Sequence, residues 1–529
     1  MPRNHSLTYY LLLTIVVFNF VTISFAVDDF DTELERLAAW CDGLGLTDEA
    51  AVTRNAILPH TDDELFIPIF QVKVQRENNN GFENEDDIPL PETVDKSTDN
   101  TDNKTIWQNR LANLRYQYGK KLFADAVQLA ESGKGGDAVE RLITVLRVDP
   151  DNAVARTFFG YTRHDGCWRT AWEVERMTSG FVEHPRFGWI KKEHVERYEK
   201  GQRLWKIAPQ STNKTQPSPP AETWITADEE SERRHDIRNG WDIASEHFIL
   251  RTSCGLEEGV KMSRRLEDFY RCWSLMFYRV YKNDSQLSRE IKAAITGKQP
   301  PAKRTRHSVY VYRDKAEYIA NLREIEPQVE ATLGFYYPER KRSYFFQPDA
   351  ATTDEYEYRH IVNTLLHEAT HQLFQETLGS RVMPGQKNNF WLFEGVATYM
   401  ESFKRDGDYY VLGGFDCDWM LAARYRFNKS KFYLPFEQIT KMGQDGFQDF
   451  GITSKTGFEP SEKLRMLYSQ SSGITHFLMH TENGRFREPT IQLLRRLYHG
   501  EEQPDSLSKL TGVTYKELDA KYKKYITRP

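Results

Sequence analysis

The chain has 529 residues, 39% apolar and 28% charged, which suits roughly two to four domains with at least one substantial core. Its 71 basic and 77 acidic residues leave a net charge of −6, so there is no global basic excess of the kind a nucleic-acid binder uses. Five cysteines with no CxxC pair exclude a disulfide-dense scaffold and a thiolate zinc finger; Cys254 and Cys272 are a pair that an oxidising compartment would allow.

At the N-terminus Arg3 precedes the apolar run LLLTIVVFNFVTISFA, which ends with small Ser24 and Ala26. This three-part layout predicts a cleaved signal peptide over 1–26 and an exported mature chain, periplasmic, cell-envelope or extracellular. An uncleaved anchor is the rival, but the run is short for a span and Asp28, Asp29 and Asp31 follow at once. Residues 27–105 hold a small segment with helical spacing through Leu34, Leu37 and Trp40, then the acidic stretch 76–104. That stretch has too few large apolar groups to offset its ordering entropy and is expected to be a flexible linker.

From Ile106 to about Tyr161 apolar residues recur at helical spacing, broken by a glycine turn and by Pro150. The pattern resembles one tetratricopeptide unit and part of a second, or equally a generic helical hairpin; so few units predict a helical cap on a neighbour, with a protein partner as one use. A Trp-rich extension to 207 reads as a small packed core, and 208–223 (APQSTNKTQPSPPAET) as the linker marking the main domain boundary.

Beyond the linker, in 224–529, HFILRTS (247–253) reads as a strand, Leu256–Tyr281 as an amphipathic helix and HSVYVYR (307–313) as a strand followed by a helix from about Lys315. GFYYPE (334–339) and RSYFFQ (342–347) read as paired strands, and after Thr353 the pattern is helical almost to the end. Strands first and helices afterwards predict an α+β fold, a mixed sheet with a mostly helical C-terminal half, preceded by the small repeat-like helical region.

The chemistry lies in the helix 355–378, EYEYRHIVNTLLHEATHQLFQETL. His367 and His371, four apart, project from one face about 5–6 Å apart at Cβ, a separation from which two imidazoles meet one Zn²⁺ at roughly 2.0–2.1 Å each. Glu368 is placed as general base, as in H-E-x-x-H. The metzincin continuation is excluded because Phe374 and Thr377 stand where it needs Gly and His. Glu394, in WLFEGVATYMESF, follows three apolar residues and precedes Gly395, which favours a third ligand over a surface glutamate.

HEATH followed by EGVATYMES resembles the gluzincin zinc metallopeptidases, and more narrowly the secreted peptidase-MA-like proteins of unknown function that carry a tetratricopeptide-like N-terminal region. The resemblance covers roughly residues 230–529, more weakly 106–206. It implies His367, His371 and Glu394 as zinc ligands, Glu368 as base, and water attack on a peptide bond. Family members often orient the first histidine with an acid four residues past the ligand glutamate; here Thr398 stands there, so another group must do this. By the same resemblance RSYFFQ is the edge strand that pairs with an extended peptide or protein substrate. No GxMEN-type sequence precedes the helix, so amino-terminal trimming is not implied. For the oxyanion donor, LYSQSSGITHFLMH offers Tyr468 first, by likeness to gluzincins, and His476 second. The competing reading is an exported, non-catalytic binding or scaffold protein with a structural or degenerate zinc site; an intact Glu368 argues against it. Within hydrolases a non-peptide amide stays open, because the motif fixes water attack and not the acyl group.

Overall fold

The computed structural model of the chain describes residues 29–58, 61–70, 100–207, 221–298, 305–349, 354–380, 382–450 and 460–528. The expected signal peptide and most of both expected linkers lie outside these residues. The fold is α+β, with helices dominating over several small sheets. The chain divides into two compact units, neither continuous: Met1–Thr61, Pro68–Trp168 and Lys282–Pro300 form one, and Asp62–Ile67, Arg169–Tyr281 and Pro301–Pro529 the other.

The first unit is helical. A helix over 29–43 buries Phe30, Leu34, Leu37 and Cys41, the spacing of a one-sided apolar stripe. Helices α1 (Asn100–Glu131) and α2 (Gly135–Val148) form the expected hairpin, meeting through Ala126, Ala130, Ala138 and Leu142. α1 starts six residues before the expected Ile106, so the acidic linker does not extend to 104; Lys104 instead pairs with Glu49 at 2.9 Å. The second repeat does not develop, because Ala153–Phe158 is only six residues long. Its place beside α2 is taken by Asp284–Ile295, which buries Leu287, Ile291 and Ala294 and accepts the Gly136 N–H on Asp284 Oδ1 at 2.7 Å. This helix comes from the middle of the stretch read as one peptidase domain.

Residues 160–234 carry a repeat that the sequence pattern did not reveal. Gly160, Gly180 and Gly201 (φ 85°, 78° and 78°) each end a short helix and turn the chain into a β-hairpin. The hairpins are Tyr161–His164 with Cys167–Thr170, Phe181–His184 with Gly188–Lys191, and Gln202–Ile207 with Ala221–Thr226. Their second strands carry Trp168, Trp189 and Trp224. In the second unit Trp172 meets Trp189 edge-on at 5.3 Å, and Arg197 covers Trp224 at 4.6 Å, so aromatic faces pack within the protein. The Pro/Ser/Thr stretch 208–223 therefore joins two strands of one hairpin, and residues 221–223 are strand. The boundary between units falls at Trp168–Arg169 instead.

The main sheet of the second unit has five strands: β1 (Trp241–Ala244), β2 (Phe248–Thr252), β3 (His307–Tyr312), β4 (Gly334–Tyr337) and β5 (Arg342–Phe346). Their order is β4-β5-β3-β2-β1; β3 is parallel to β5 and β2, while β4 and β1 add antiparallel edges. Alternate residues of β2 (Phe248, Leu250, Thr252) are buried, as a half-covered strand requires. Between β2 and β3 runs α3 (Leu256–Tyr281), and over β4 and β5 lies α4 (Glu355–Leu378); both span the residues their periodicity predicts. Helices α5 (Phe390–Met400), α6 (Asp418–Asn428) and α7 (Pro460–Gly484) follow, interrupted by the hairpin Lys404–Asp406/Tyr409–Gly413. Cys254 and Cys272 are free: the Cys254 thiol donates to the Tyr312 carbonyl at 3.3 Å, and Cys272 is buried in α3. Among the described residues no helix is long and apolar enough to cross a membrane.

Candidate metal centre

α4 is seated by Leu366, Ala369, Leu373 and Phe374, all buried; the Phe374 ring meets Trp273 and Phe277 of α3 at 5.2 and 5.0 Å. This turns His367 and His371 towards α5. α5 is buried along nearly its whole length and starts at Asn389, held in the left-handed region (φ 57°) with its amide donating to the Gln503 carbonyl at 2.9 Å. Behind α5 runs α7. A β-carbon on Gly395 would stand 2.5 Å from Thr475 Oγ1 and 2.8 Å from the Ser471 carbonyl, so only glycine lets the two helices cross this closely. The Glu-Gly pair thus combines a carboxylate on one side of α5 with a close crossing on the other.

His367, His371 and Glu394 form the one such metal-competent group among the described residues, with one donor atom from each lying within 4.8 Å of the others. Glu394 Oε2 is 3.2 Å from His367 Nε2 and 3.8 Å from His371 Nε2. Burial alone would raise the Glu394 carboxyl, but hydrogen bonds and charge from the two imidazoles outweigh it and hold it at about 2. For His367 burial works against the charged ring, yet Glu394 and Glu401 raise it well above the usual histidine range.

Glu401 is the residue that sequence reasoning missed. Its Oε1 accepts from His367 Nδ1 at 2.8 Å and its Oε2 from Trp419 Nε1 of α6 at 2.8 Å. It stands two helical turns past Glu394, on the same side of the chain's helical path. Thr398, one turn past, spends its hydroxyl on the Glu394 and Gly395 carbonyls at 3.0 and 3.1 Å. The orienting acid is therefore present, seven residues on rather than four. His371 is held differently: its ring stacks on Phe393 at 3.9 Å and 14°, and its Nδ1 is buried without a hydrogen-bond partner.

Glu368 lies outside the three-residue group. Its Oε2 accepts the backbone N–H of Tyr336 at 2.9 Å, and burial raises its carboxyl despite the opposing charges of His367 and His371. Tyr336 belongs to β4, and here the structure corrects an expectation. RSYFFQ is not the edge strand: β5 is hydrogen-bonded on both sides and buried over Ser343–Phe346, and β4 (from GFYYPE) forms the edge beside α4.

Tyr468 of α7 lies close enough to the cluster that burial and the carboxylates of Glu394 and Glu368 push its hydroxyl well above the usual range, so it keeps its proton. His476 does not join it. Its Nδ1 bonds to the Tyr525 hydroxyl at 2.8 Å and its ring meets Phe415 and His480, two turns along α7 from Tyr468. The ring is buried too deeply to hold a charge, with a pKa down at about 4. Tyr498, which no sequence signal singled out, brings a buried hydroxyl without a partner into the electrostatic range of Glu394.

The donor set fits a zinc ion. Two imidazole nitrogens and one carboxylate oxygen are a common catalytic set, and tetrahedral bonds of roughly 2.0–2.1 Å put ligand atoms about 3.3 Å apart, close to the two separations from Glu394. No protein-family model matches the chain, and no curated protein matches it significantly.

Proposed function

We propose that the protein is a zinc-dependent metallopeptidase of gluzincin type that acts after export. The observation that carries this reading is a division of labour among four groups, of which His371 and Glu394 are buried and His367 and Glu368 partly so. Three converge where they could hold one metal ion, while Glu368, beside the first, bonds instead to the Tyr336 amide. A structural metal site has no use for a carboxylate in that position.

When bound, zinc supplies Lewis acidity that brings a water's pKa towards 7 and polarises a carbonyl. Glu368 takes the proton from the attacking water and hands it to the departing amine. Its raised carboxyl pKa suits both steps better than an ordinary glutamate would. Glu401 fixes the tautomer of His367 by accepting from Nδ1, leaving Nε2 as the donor atom. Tyr468, protonated and beside Glu394, donates to the oxyanion as the carbonyl carbon becomes tetrahedral. A peptide substrate is consistent with β4, whose edge lies beside α4 next to the base.

The test pairs metal analysis with cleavage of a mixed peptide library by the full-length protein and its Glu368→Gln variant. One zinc per chain in both proteins, with cleavage by the native one alone, is the expected result. Equal cleavage by both, or no zinc in either, refutes the proposal.

A further inference from the structure

Beside the metal centre lies a cavity of about 310 Å³, of whose wall the mechanism above uses only Glu401. The three helices that build the centre each run one or two turns further into its wall. α4 supplies Asn363 and His360, four and seven residues before His367; α5 supplies Thr398 and Glu401, four and seven after Glu394; α7 supplies Arg465, three before Tyr468. At 1.5 Å of rise per residue these lining positions are offset by about 6 to 10 Å along the helices from the metal ligands, while the Glu401 side chain reaches back to His367 itself. Trp419 and Glu401, hydrogen-bonded to each other, both line the cavity, and Glu401 also bonds to His367.

The pairing of its charged groups decides what the cavity takes. The acids in the wall are satisfied. Glu401 spends one oxygen on His367 and the other on Trp419. Asp418 faces Arg359 at 3.7 Å, and Asp416 acts electrostatically on Lys404. The cations are not all matched. Arg426 is held in place, its Nη1 donating to the Arg465 carbonyl at 2.8 Å and its Nη2 3.4 Å from Glu462, with only 15% of its side chain exposed. Arg465 has no acidic partner among the described residues. Arg426, held in place, and solvent-exposed Arg465, without an acid, both line the space together with His360, and they offer donors to an anionic group flat enough for forked hydrogen bonds.

We propose that this cavity is a subsite for a substrate carboxylate, either an acidic side chain or a peptide's C-terminal carboxylate. The proposal rests on the peptidase reading. An extended peptide advances about 3.4 Å per residue, so the carboxylate sits two to three residues from the bond that is cut. The volume suits one or two residues rather than a whole ligand.

Calorimetric titration of the full-length, zinc-loaded Glu368→Gln protein tests it without turnover. Four hexapeptides are compared, carrying Glu or Gln at one position and a free or amidated C-terminus. Binding about tenfold tighter with a carboxylate is expected, lost in an added Arg465→Ala and reversed towards a Lys peptide in Arg465→Glu. An effect of Glu against Gln identifies the side chain, and an effect of amidation the terminus. Equal affinities, no binding of any peptide, or a preference undiminished in Arg465→Ala overturns the subsite. The two proposals fail separately. A carboxylate preference in a protein whose native form cleaves nothing sinks the peptidase reading alone, and cleavage by the native protein without charge preference sinks the subsite alone.

Discussion

Replacing Glu401 tests whether an acid two turns past the ligand glutamate orients the first histidine. The side chain is buried and accepts from two ring N–H groups, each at 2.8 Å. Alanine leaves both donors unmatched, and an orphaned buried donor costs about 1–3 kcal/mol. Trp419 borders the cavity and water reaches it, so its share falls at the low end; the metal-free protein should lose about 2–4 kcal/mol. With His367 free to rotate and change tautomer, zinc binding should weaken by about 10- to 100-fold. Glu401→Gln keeps an acceptor for one ring and should lie between alanine and the native chain. Thr398→Ala is the control, because the hydroxyl bonds only to backbone carbonyls; its zinc affinity should stay within about twofold of native. Competition with a chromophoric chelator measures all three. Native affinity in Glu401→Ala, or equal weakening in Thr398→Ala, refutes the reasoning.

Glu394→Ala should abolish stoichiometric zinc and lower peptide cleavage by about 10³-fold or more; full zinc and full activity would show that the third ligand lies elsewhere. Tyr468→Phe should reduce kcat by about 10²- to 10³-fold with zinc affinity unchanged, and an unchanged kcat would remove Tyr468 from the mechanism. Gly395→Ala should destabilise the fold by about 1–3 kcal/mol through the contacts at Thr475 and Ser471, read as a lower urea midpoint; an unchanged midpoint contradicts the close crossing. His476, with a pKa of about 4 in the folded chain against an ordinary 6.5, binds its proton more readily once unfolded. Its contribution of about 3 kcal/mol is therefore complete above pH 6.5 and is lost as pH falls towards 4. Urea titrations of native protein and His476→Gln should converge over that window, and parallel curves would count against it.

What could be read from sequence followed how local each signal was. The 3.6-residue period of α3 and α4 gave both helices their bounds, and the spacing of His367, Glu368 and His371 gave the face they share. Glu394 was also legible, because a carboxylate between apolar residues has few other uses. Glu401 was not: its role depends on the position of α6 and on which side of α5 meets His367, and neither is local. Strand order is likewise a property of pairing, so GFYYPE and RSYFFQ read correctly as partners while the outer one was misjudged. Tyr468 and His476 lie two turns apart on one helix, and only its packing shows that the first faces Glu394 and the second Tyr525. The three Trp hairpins escaped notice because residues 208–220 break their spacing in the third.

The helix Asp284–Ile295 has a consequence for biosynthesis and for cutting the protein. It lies between α3 and β3, the crossover joining two parallel neighbours of the main sheet, yet its apolar residues Leu287, Ile291 and Ala294 are covered by the first unit. A ribosome must extend past residue 295 before the first unit has all its parts, and by then the hairpins, β1, β2 and α3 are already outside. Neither unit can finish before the other has begun. Removing residues 27–223 to isolate the portion that holds the metal centre strips the cover from those three side chains, so the fragment is expected to aggregate.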